Sequence, residues 1–157
     1  MICGLDNEYG VNAPFYNMED GSVMTVFRYK EQHQSYPGRV HGGMITAMLD
    51  EMGLRSLWAK ELSEETFGVT ISLDTKYRKP VPYETELIGR GVVVKNTSHF
   101  IITDSYIMDK DGEILANGRI KYIKMDTQKI QEGVEVHEEM PYLVEDGRTE
   151  IEGPFFD

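Results

Sequence analysis

The sequence predicts an α+β domain in which one antiparallel β-sheet wraps around a single long α-helix. Several segments alternate between apolar and polar residues, which is typical of half-buried strands. Only one segment, residues 43–61, has the length and composition of a long helix. The links between the strands are short, as antiparallel neighbours allow and parallel neighbours do not. Because a sheet and a helix each need a partner for their apolar surface, these observations favour a sheet folded around one helix.

Five segments are predicted as strands: residues 22–29, 67–79, 84–95, 98–109 and 113–125. The second is the clearest, and strict alternation would place Val69, Ile71, Leu73, Thr75 and Tyr77 on one face and Thr70, Ser72, Asp74, Lys76 and Arg78 on the other. Pro80 and Pro82 end this strand, because proline has no amide hydrogen for a ladder. Asp111-Gly112 is typical of a hairpin turn between the last two strands. The order predicts an antiparallel meander.

Residues 43–61 are predicted as a helix because helix-forming residues dominate them and no proline interrupts them. At about 100° per residue, the apolar side chains cover nearly the whole circumference: Met44, Ile45, Ala47, Met48, Leu49, Met52, Leu54, Leu57, Trp58 and Ala59. A helix that is apolar on most sides is normally enclosed by other elements. With a single long helix in the chain, the sheet has to enclose it.

The acidic residues of this helix fall into two kinds. Glu51 and Arg55 stand at positions i and i+4 and are predicted to pair with each other. Asp50 has no basic residue three or four positions away, and its helical neighbours are mostly small or apolar. Burial of a carboxylate without a partner costs free energy. Asp50 is therefore either a functional carboxylate or a residue that points through a sheet edge into water.

The start of the helix, His41-Gly42-Gly43, is the second candidate feature. Glycines let the backbone adopt unusual dihedral angles and let a ligand approach closely. The first amides of a helix have no partner within it and lie at the positive end of its dipole, so they suit an oxyanion or a polarised carbonyl oxygen. A Gly-Gly pair alone more often marks a turn. Free amides followed by an uncompensated carboxylate form a more specific pattern.

The spacing of these two features predicts a homodimer. Eight residues separate Gly42 from Asp50, which is about 12 Å along a helix. An oxyanion donor and a carboxylate that act on one carbonyl each lie within about 3–3.5 Å of the reacting atoms. If the two residues cooperate, they belong to different subunits whose helices run antiparallel about a twofold axis. The alternative is that the two features are unrelated, in which case no dimer follows.

Composition and charge limit the class of protein. The chain has 157 residues and a formal net charge of −11, and residues 126–157 contain ten acidic residues against two basic ones. We predict one domain, residues 1–125, followed by an acidic C-terminal extension, residues 126–157. The acidic charge argues against nucleic acid as a partner. No polybasic anchor, spanning segment or signal-peptide pattern is evident, so we expect no membrane partner and a cytoplasmic protein. The single cysteine, Cys3, cannot form an internal disulfide.

Residues 33–51, HQSYPGRVHGGMITAMLDE, and residues 70–82, TISLDTKYRKPVP, resemble hotdog-fold thioesterases of the 4-hydroxybenzoyl-CoA and phenylacetyl-CoA thioesterase type. The resemblance implies a hotdog fold and hydrolysis of an acyl-CoA thioester at the interface of a homodimer, which in this family often belongs to a dimer of dimers. The catalytic acid of the family falls on Asp50, nine positions after the motif histidine. Its carbonyl-polarising amide falls on Gly42, and Gly43 offers a second amide beside it.

The resemblance also implies residues that position the thioester or the attacking water. Many family members carry an Asn or Gln in the loop before the motif histidine. Gln34 is the candidate here, with Ser35 at the commoner spacing. The family often has a Ser or Thr near the carboxylate on the facing strand, and Thr70 matches it. Thr70 is equally well explained as an ordinary β-branched strand residue.

Three residues are predicted to bind substrate. Arg78 and Lys79 lie at a strand end where the family contacts CoA phosphates, although exposed basic residues are common in any protein. His41 is expected to shape the turn before the helix through hydrogen bonds rather than to act as a base. The metal site is predicted to be absent, because the four histidines have no metal-ligand spacing, and no cofactor is expected beyond the CoA of the substrate.

The chemistry is predicted as thioester hydrolysis, with two routes left open. Asp50 acts as a general base on water, or it attacks the carbonyl directly and forms an anhydride. A different class of function is a non-catalytic hotdog module that binds acyl-CoA as a sensor or carrier. The carboxylate argues against that class, because a module that only binds has no need of it. A hotdog dehydratase or hydratase is a third class, and its usual His and acid spacing fits this sequence badly.

Overall fold

The fold was analysed in a computed structural model, which describes residues 2, 4, 6–60, 66–126, 148 and 150. One long helix packs against one antiparallel sheet, so the predicted α+β architecture is confirmed. Of the predicted extension 126–157, only Asp126, Arg148 and Glu150 are described, and Cys3 lies outside the described residues. The division of the chain into a domain and an extension stays a prediction.

The described residues form six strands and one long helix. The strands are β1 (Tyr16–Asn17), β2 (Val23–Phe27), β3 (Thr66–Tyr77), β4 (Leu87–Asn96), β5 (Phe100–Met108) and β6 (Ile114–Asp126), and the helix is α1 (Gly42–Lys60). A short 3₁₀ helix, Glu31–His33, precedes α1. Strand β1 and the 3₁₀ helix were not predicted, because elements of two and three residues are too short to show a periodicity. No helix in this part of the chain has the length and apolar character needed to cross a membrane.

The strand order in the sheet is β1-β2-β4-β5-β6-β3. Strands β4, β5 and β6 are antiparallel neighbours in succession, which is the predicted meander. Strand β3 departs from it, because it pairs with β6 and ends the sheet on that side. The predicted hairpin before β6 is present: Gly112 has a φ of +83°, and the Asp109 carboxylate accepts the amides of Asp111 and Glu113.

A β-bulge in β3 corrects the predicted face assignment. The pairing with β6 shifts between Thr70 and Ser72, so Ile71 is an extra residue and the alternation changes phase there. Beyond the bulge, Leu73, Thr75 and Tyr77 share one face as predicted, and that face is turned to the helix. Val69 and Ile71, which were predicted on the same face, are not on it and are 38% and 53% exposed. Strict alternation predicted Thr70 on the face opposite to Leu73, and the bulge instead brings it to the same side, towards α1, where the resemblance implied it.

The core lies between the sheet and one side of α1. Ile45, Met48, Leu49 and Met52 are buried there against strands β2, β4, β5 and β6. The helix approaches β4 so closely that a Cβ at Gly91 would overlap the backbone carbonyl of Met52. This contact holds α1 at a fixed height above the sheet.

The opposite side of α1 is only partly covered. Gly43 is exposed, and Gly42, Thr46, Ala47 and Asp50 are half-buried among the described residues. The sequence predicted a helix that the sheet encloses, and within one protomer the sheet leaves this side partly open. Because β3 is the strand nearest to it and ends the sheet, the open side of α1 lies along a sheet edge.

Candidate active site

Asp50 lies in the third turn of α1, on the side that faces β3. The hydroxyl of Thr70 is 3.0 Å from Oδ1 and 3.1 Å from Oδ2, so it donates to this carboxylate. No lysine, arginine or histidine forms an ion pair with Asp50 within the described part of the chain. Glu51, by contrast, pairs with Arg55 at 3.8 Å, as the i, i+4 spacing predicted. A carboxylate with one hydroxyl donor retains lone pairs that can accept from a water molecule.

The backbone of Asp50 is held from the sheet side. The hydroxyl of Tyr122, which is 1% exposed, donates to the Asp50 carbonyl at 2.8 Å. Burial raises the pKa of the Tyr122 phenol well above its ordinary value, so the group stays a neutral donor. Gly53 leaves room for this contact, because a Cβ there would overlap the Tyr122 and Thr103 hydroxyls. The helix position under the carboxylate is therefore fixed by a buried hydrogen bond.

The first turn of α1 carries one free amide. The amides of Met44 and Ile45 donate to the His41 carbonyl at 3.0 and 3.2 Å, and the Gly43 amide donates to His41 Nδ1 at 2.9 Å. The Gly42 amide makes no hydrogen bond to any residue that the structure describes. It lies at the positive end of the helix dipole and is half-buried, so it suits a carbonyl oxygen that gains negative charge. Gly43 is not a second donor in this geometry.

His41 caps the helix with its side chain. Because Nδ1 accepts the Gly43 amide, the neutral ring carries its proton on Nε2. Its own backbone amide donates to the His33 carbonyl at 2.8 Å, which ties the turn to the preceding 3₁₀ helix. The imidazole thus occupies the place of the Ser or Asp that more often caps a helix.

Hydroxyl groups line the space between Gly42 and Asp50. We call them the hydroxyl strip, and its members are Thr46, Thr70, Thr75 and Tyr77. Thr46 lies 2.6 Å from the Tyr77 hydroxyl and 3.4 Å from the Thr75 hydroxyl. The Tyr77 hydroxyl also donates to the Gly42 carbonyl at 3.1 Å. Thr46 and Tyr77 were not among the site residues predicted from the sequence, although the spacing 42, 46, 50 places Thr46 on the same side of the helix as both candidates.

The remaining candidates lie apart from Asp50 in the protomer. Gln34 is exposed in the loop before α1, in an isolated bridge with Val40, and the neighbouring Ser35 donates its amide to the Arg39 carbonyl. Neither side chain hydrogen-bonds Gly42 or Asp50 in the described part of the chain. Both residues lie in the same loop as His41, so they are nearer to the Gly42 end of α1 than to Asp50.

Arg78 and Lys79 follow β3 and are exposed. Arg78 donates through Nε to Asn117 at 2.7 Å, and Lys79 pairs with Glu113. Arg78 therefore already has a partner on β6, and Lys79 has one on the turn before β6. Both basic residues follow Tyr77, the last residue of β3. Within residues 6–60 and 66–126, no three His, Cys, Asp or Glu side chains are grouped as a metal site.

The geometry brings a free amide and a hydroxyl-bound carboxylate to one open side of a helix, about two turns apart. The chain is 26% identical over 127 residues to acyl-coenzyme A thioesterase THEM4 of Rattus norvegicus. The matched region covers 80% of this chain and 52% of that protein. The chain thus spans about half the length of this relative.

Solved structures share the fold. A thioesterase superfamily protein superposes with a TM-score of 0.69 at 25% identity, over 76% of this chain and 60% of its own. A hypothetical thioesterase of Streptococcus pneumoniae TIGR4, solved with coenzyme A, superposes with a TM-score of 0.65 at 19% identity, over 73% of this chain and 90% of its own. The family model of the thioesterase superfamily matches residues 37–116, just over half of the chain and the part that carries Gly42, Asp50 and Thr70. The chain therefore belongs to the thioesterase superfamily.

Proposed function

We propose that this protein hydrolyses acyl-CoA thioesters to the free acid and CoA, with water as the second substrate and without a metal or other cofactor. The observation that carries the proposal is Asp50, a half-buried carboxylate with a hydroxyl donor and no basic partner among the described residues. The name of the rat relative supports acyl-CoA as the substrate class. So does the coenzyme A in the Streptococcus pneumoniae structure of the same fold.

The proposed site is shared between two copies of the chain. Gly42 and Asp50 are separated by about 12 Å along one helix, so they cannot both touch one thioester group within a protomer. Two helices that run antiparallel about a twofold axis would bring the Gly42 amide of one copy to the Asp50 carboxylate of the other. Among the described strands, β3 ends the sheet next to this side of α1, and the edge of a sheet is a natural place for a second copy to add.

In the proposed reaction the thioester carbonyl oxygen accepts the Gly42 amide, which stabilises the oxyanion as negative charge develops. Asp50 of the second copy removes a proton from water, the water oxygen bonds to the carbonyl carbon, and the carbon–sulfur bond breaks. The CoA thiolate leaves and is protonated from the medium. In the second route Asp50 attacks the carbon itself, and water then hydrolyses the anhydride.

The other candidates have supporting roles in this proposal. Thr70 orients the Asp50 carboxylate through its hydroxyl, and Gln34 acts from the loop at the Gly42 end. His41 shapes the amide turn. Arg78 and Lys79 attract the CoA phosphates, in competition with their present partners on β6 and the turn before it.

The first prediction is that Asp50→Asn lowers kcat by about 10³-fold, because the amide neither takes a proton nor attacks the carbonyl. The substitution keeps the size of the side chain and its acceptor for Thr70, so we expect an unchanged melting temperature. The measurement is release of CoA thiol from a panel of short-chain, long-chain and aromatic acyl-CoA esters. Wild type should be a dimer or a dimer of dimers in analytical ultracentrifugation.

Three outcomes contradict the proposal. Full activity of Asp50→Asn removes the role of the carboxylate, and an active monomer removes the shared site. Micromolar binding of an acyl-CoA by wild type, with no thiol release from any ester, favours a binding module that acts as a sensor or carrier.

A further inference from the structure

Tyr77 stands at the Gly42 end of the hydroxyl strip and has no role in the reaction proposed above. It is the last residue of β3, and 56% of it is exposed. An exposed tyrosine at a strand end normally keeps its hydroxyl in water. This hydroxyl instead turns onto the helix, 2.6 Å from Thr46 Oγ1 and 3.1 Å from the Gly42 carbonyl.

The peptide group between Gly42 and Gly43 is held from both ends. Its carbonyl accepts the Tyr77 hydroxyl, and its N–H donates to His41 Nδ1. Two successive glycines have the largest backbone freedom of any pair, and ordering each residue costs about 1–2 kcal/mol of conformational entropy.

The free Gly42 N–H belongs to the preceding peptide group, whose His41 carbonyl accepts the amides of Met44 and Ile45. The φ and ψ angles of Gly42 join the two peptide groups, so a bond to the Gly42 carbonyl restricts the orientation of one relative to the other. Without the bond from Tyr77, Gly42 regains rotational freedom and its N–H is aimed less sharply.

We propose, on the basis of the function proposed above, that Tyr77 is a positioning residue for the oxyanion-binding amide. Its hydroxyl fixes the Gly42–Gly43 peptide group and thereby aims the free Gly42 amide at the thioester carbonyl. The Thr46 hydroxyl keeps the phenol in place, because it lies between Tyr77 and Thr75. Misdirection of an oxyanion donor weakens the transition state more than the bound substrate, so Tyr77 acts on kcat rather than on KM.

The first test replaces Tyr77 by Phe, which removes the hydroxyl and keeps the ring. We expect kcat to fall about 10-fold, with KM unchanged within about twofold and the melting temperature unchanged. In protein labelled with ¹⁵N-glycine, the Gly42 and Gly43 amide signals should shift or broaden, since the peptide group that joins the two residues loses its bond to Tyr77. This second readout does not depend on activity.

The matched control is Tyr29→Phe. The Tyr29 hydroxyl also donates to a carbonyl in the first turn of α1, that of Met44 at 3.3 Å, but from the fully buried side. Its loss should lower the melting temperature and leave kcat within about twofold of wild type. An equal fall of kcat in Tyr29→Phe and Tyr77→Phe would overturn the proposal, because any loosening of the first turn would then have the same effect.

A heterodimer experiment asks which half of the shared site contains Tyr77. In a dimer of one Asp50→Asn chain and one Tyr77→Phe chain, one site combines the intact Gly42 and Tyr77 of the first chain with the intact Asp50 of the second. Such a dimer should recover about half of the wild-type kcat, well above either homodimer. In a dimer of Asp50→Asn and Thr70→Val chains both sites are defective, and kcat should be half that of the Thr70→Val homodimer.

The outcomes separate this proposal from the proposed function. If wild type releases no thiol from any acyl-CoA, the proposed function fails. If wild type is active and Tyr77→Phe retains full kcat, or if the heterodimer with Asp50→Asn has only half the kcat of the Tyr77→Phe homodimer, Tyr77 does not act through Gly42 and the present proposal fails.

Discussion

The two sides of helix α1 differ in how their side chains are held. On the sheet side, Met48, Leu49 and Met52 are fully buried and are held by close packing. On the β3 side, the Asp50 carboxylate accepts the Thr70 hydroxyl and the Gly42 carbonyl accepts the Tyr77 hydroxyl, both from the edge strand. Packing is non-directional and tolerates shifts of a few tenths of an ångström, whereas a hydrogen bond also fixes direction. The same helix thus combines a side that stabilises the fold with a side that aims polar groups.

This difference predicts that stability and activity can be changed separately. A substitution on the sheet side should lower the free energy of unfolding and leave kcat of the folded molecules nearly unchanged. A substitution on the β3 side should lower kcat and leave the free energy of unfolding nearly unchanged. Variants that fail to separate in this way would show that the two sides are coupled through the helix backbone.

Beyond Asp50→Asn, the largest effect on the β3 side is expected from Gly42→Pro, which removes the free amide. Proline is well tolerated at the first position of a helix, so the fold should be retained. Loss of one oxyanion donor lowers kcat by about 10²–10³-fold. Steady-state kinetics with the best acyl-CoA ester, together with a melting curve, measure both quantities.

Gly42→Ala is the control for this variant, because alanine keeps the amide. Its Cβ would lie 3.3 Å from the Tyr77 hydroxyl, so the phenol has to move by a few tenths of an ångström. We expect a loss of kcat of at most about 10-fold. Equal kcat values for the proline and alanine variants would mean that the Gly42 amide is not the donor.

Met48→Ala tests the other side of the helix. Met48 is completely buried in the main core cluster, and truncation of such a side chain lowers the free energy of unfolding by about 3 kcal/mol. Urea unfolding at pH 7.5 measures this loss. At low urea, where the variant is folded, kcat should stay within about twofold of wild type. A tenfold fall in kcat would show that core packing aims the carboxylate.

The residues on the sheet side of α1 could be predicted from the sequence, whereas those on the β3 side could be predicted only in part. Helix-forming composition located α1 within one residue at each end, and alternation of apolar and polar residues located the five longer strands within a few residues. The spacing from Gly42 to Asp50 and the resemblance to a family identified both candidates. Periodicity reports burial, so it is informative wherever residues are held by packing.

The bulge at Ile71 could not be predicted in the same way. A bulge inserts one residue without a change in composition, and alternation on each side of it remains regular. It nevertheless decides which residues of β3 face the helix, and therefore it brings Thr70 to Asp50 and excludes Val69. The position of β3 next to β6 has no local sequence pattern either. The roles of Tyr77 and Thr46 depend on both features.

The smallest effect is expected from Tyr122→Phe. Tyr122 connects the sheet side of α1 to its β3 side. The Tyr122 hydroxyl reaches through the core to the Asp50 carbonyl, and removal of this bond lowers the free energy of unfolding by about 1 kcal/mol at pH 8. Tyr36→Phe, which removes an exposed hydroxyl, is the control and should leave the free energy of unfolding unchanged. A loss above about 3 kcal/mol would indicate that Tyr122 holds the helix through more than one bond.

The difference in unfolding free energy between wild type and Tyr122→Phe should shrink at alkaline pH, because the Tyr122 phenol is buried. Burial raises the pKa of Tyr122, and likewise that of Tyr29, so both phenols stay protonated in the folded state while they ionise near pH 10 in the unfolded state. Above pH 10 each buried tyrosine therefore destabilises the fold by up to about 1.4 kcal/mol per pH unit. Wild type contains two such groups and Tyr122→Phe only one, so the two unfolding free energies should converge by about pH 11. Urea titrations at pH 8, 10 and 11 measure the convergence, and a constant difference would mean that the Tyr122 hydroxyl is accessible to water in the folded protein.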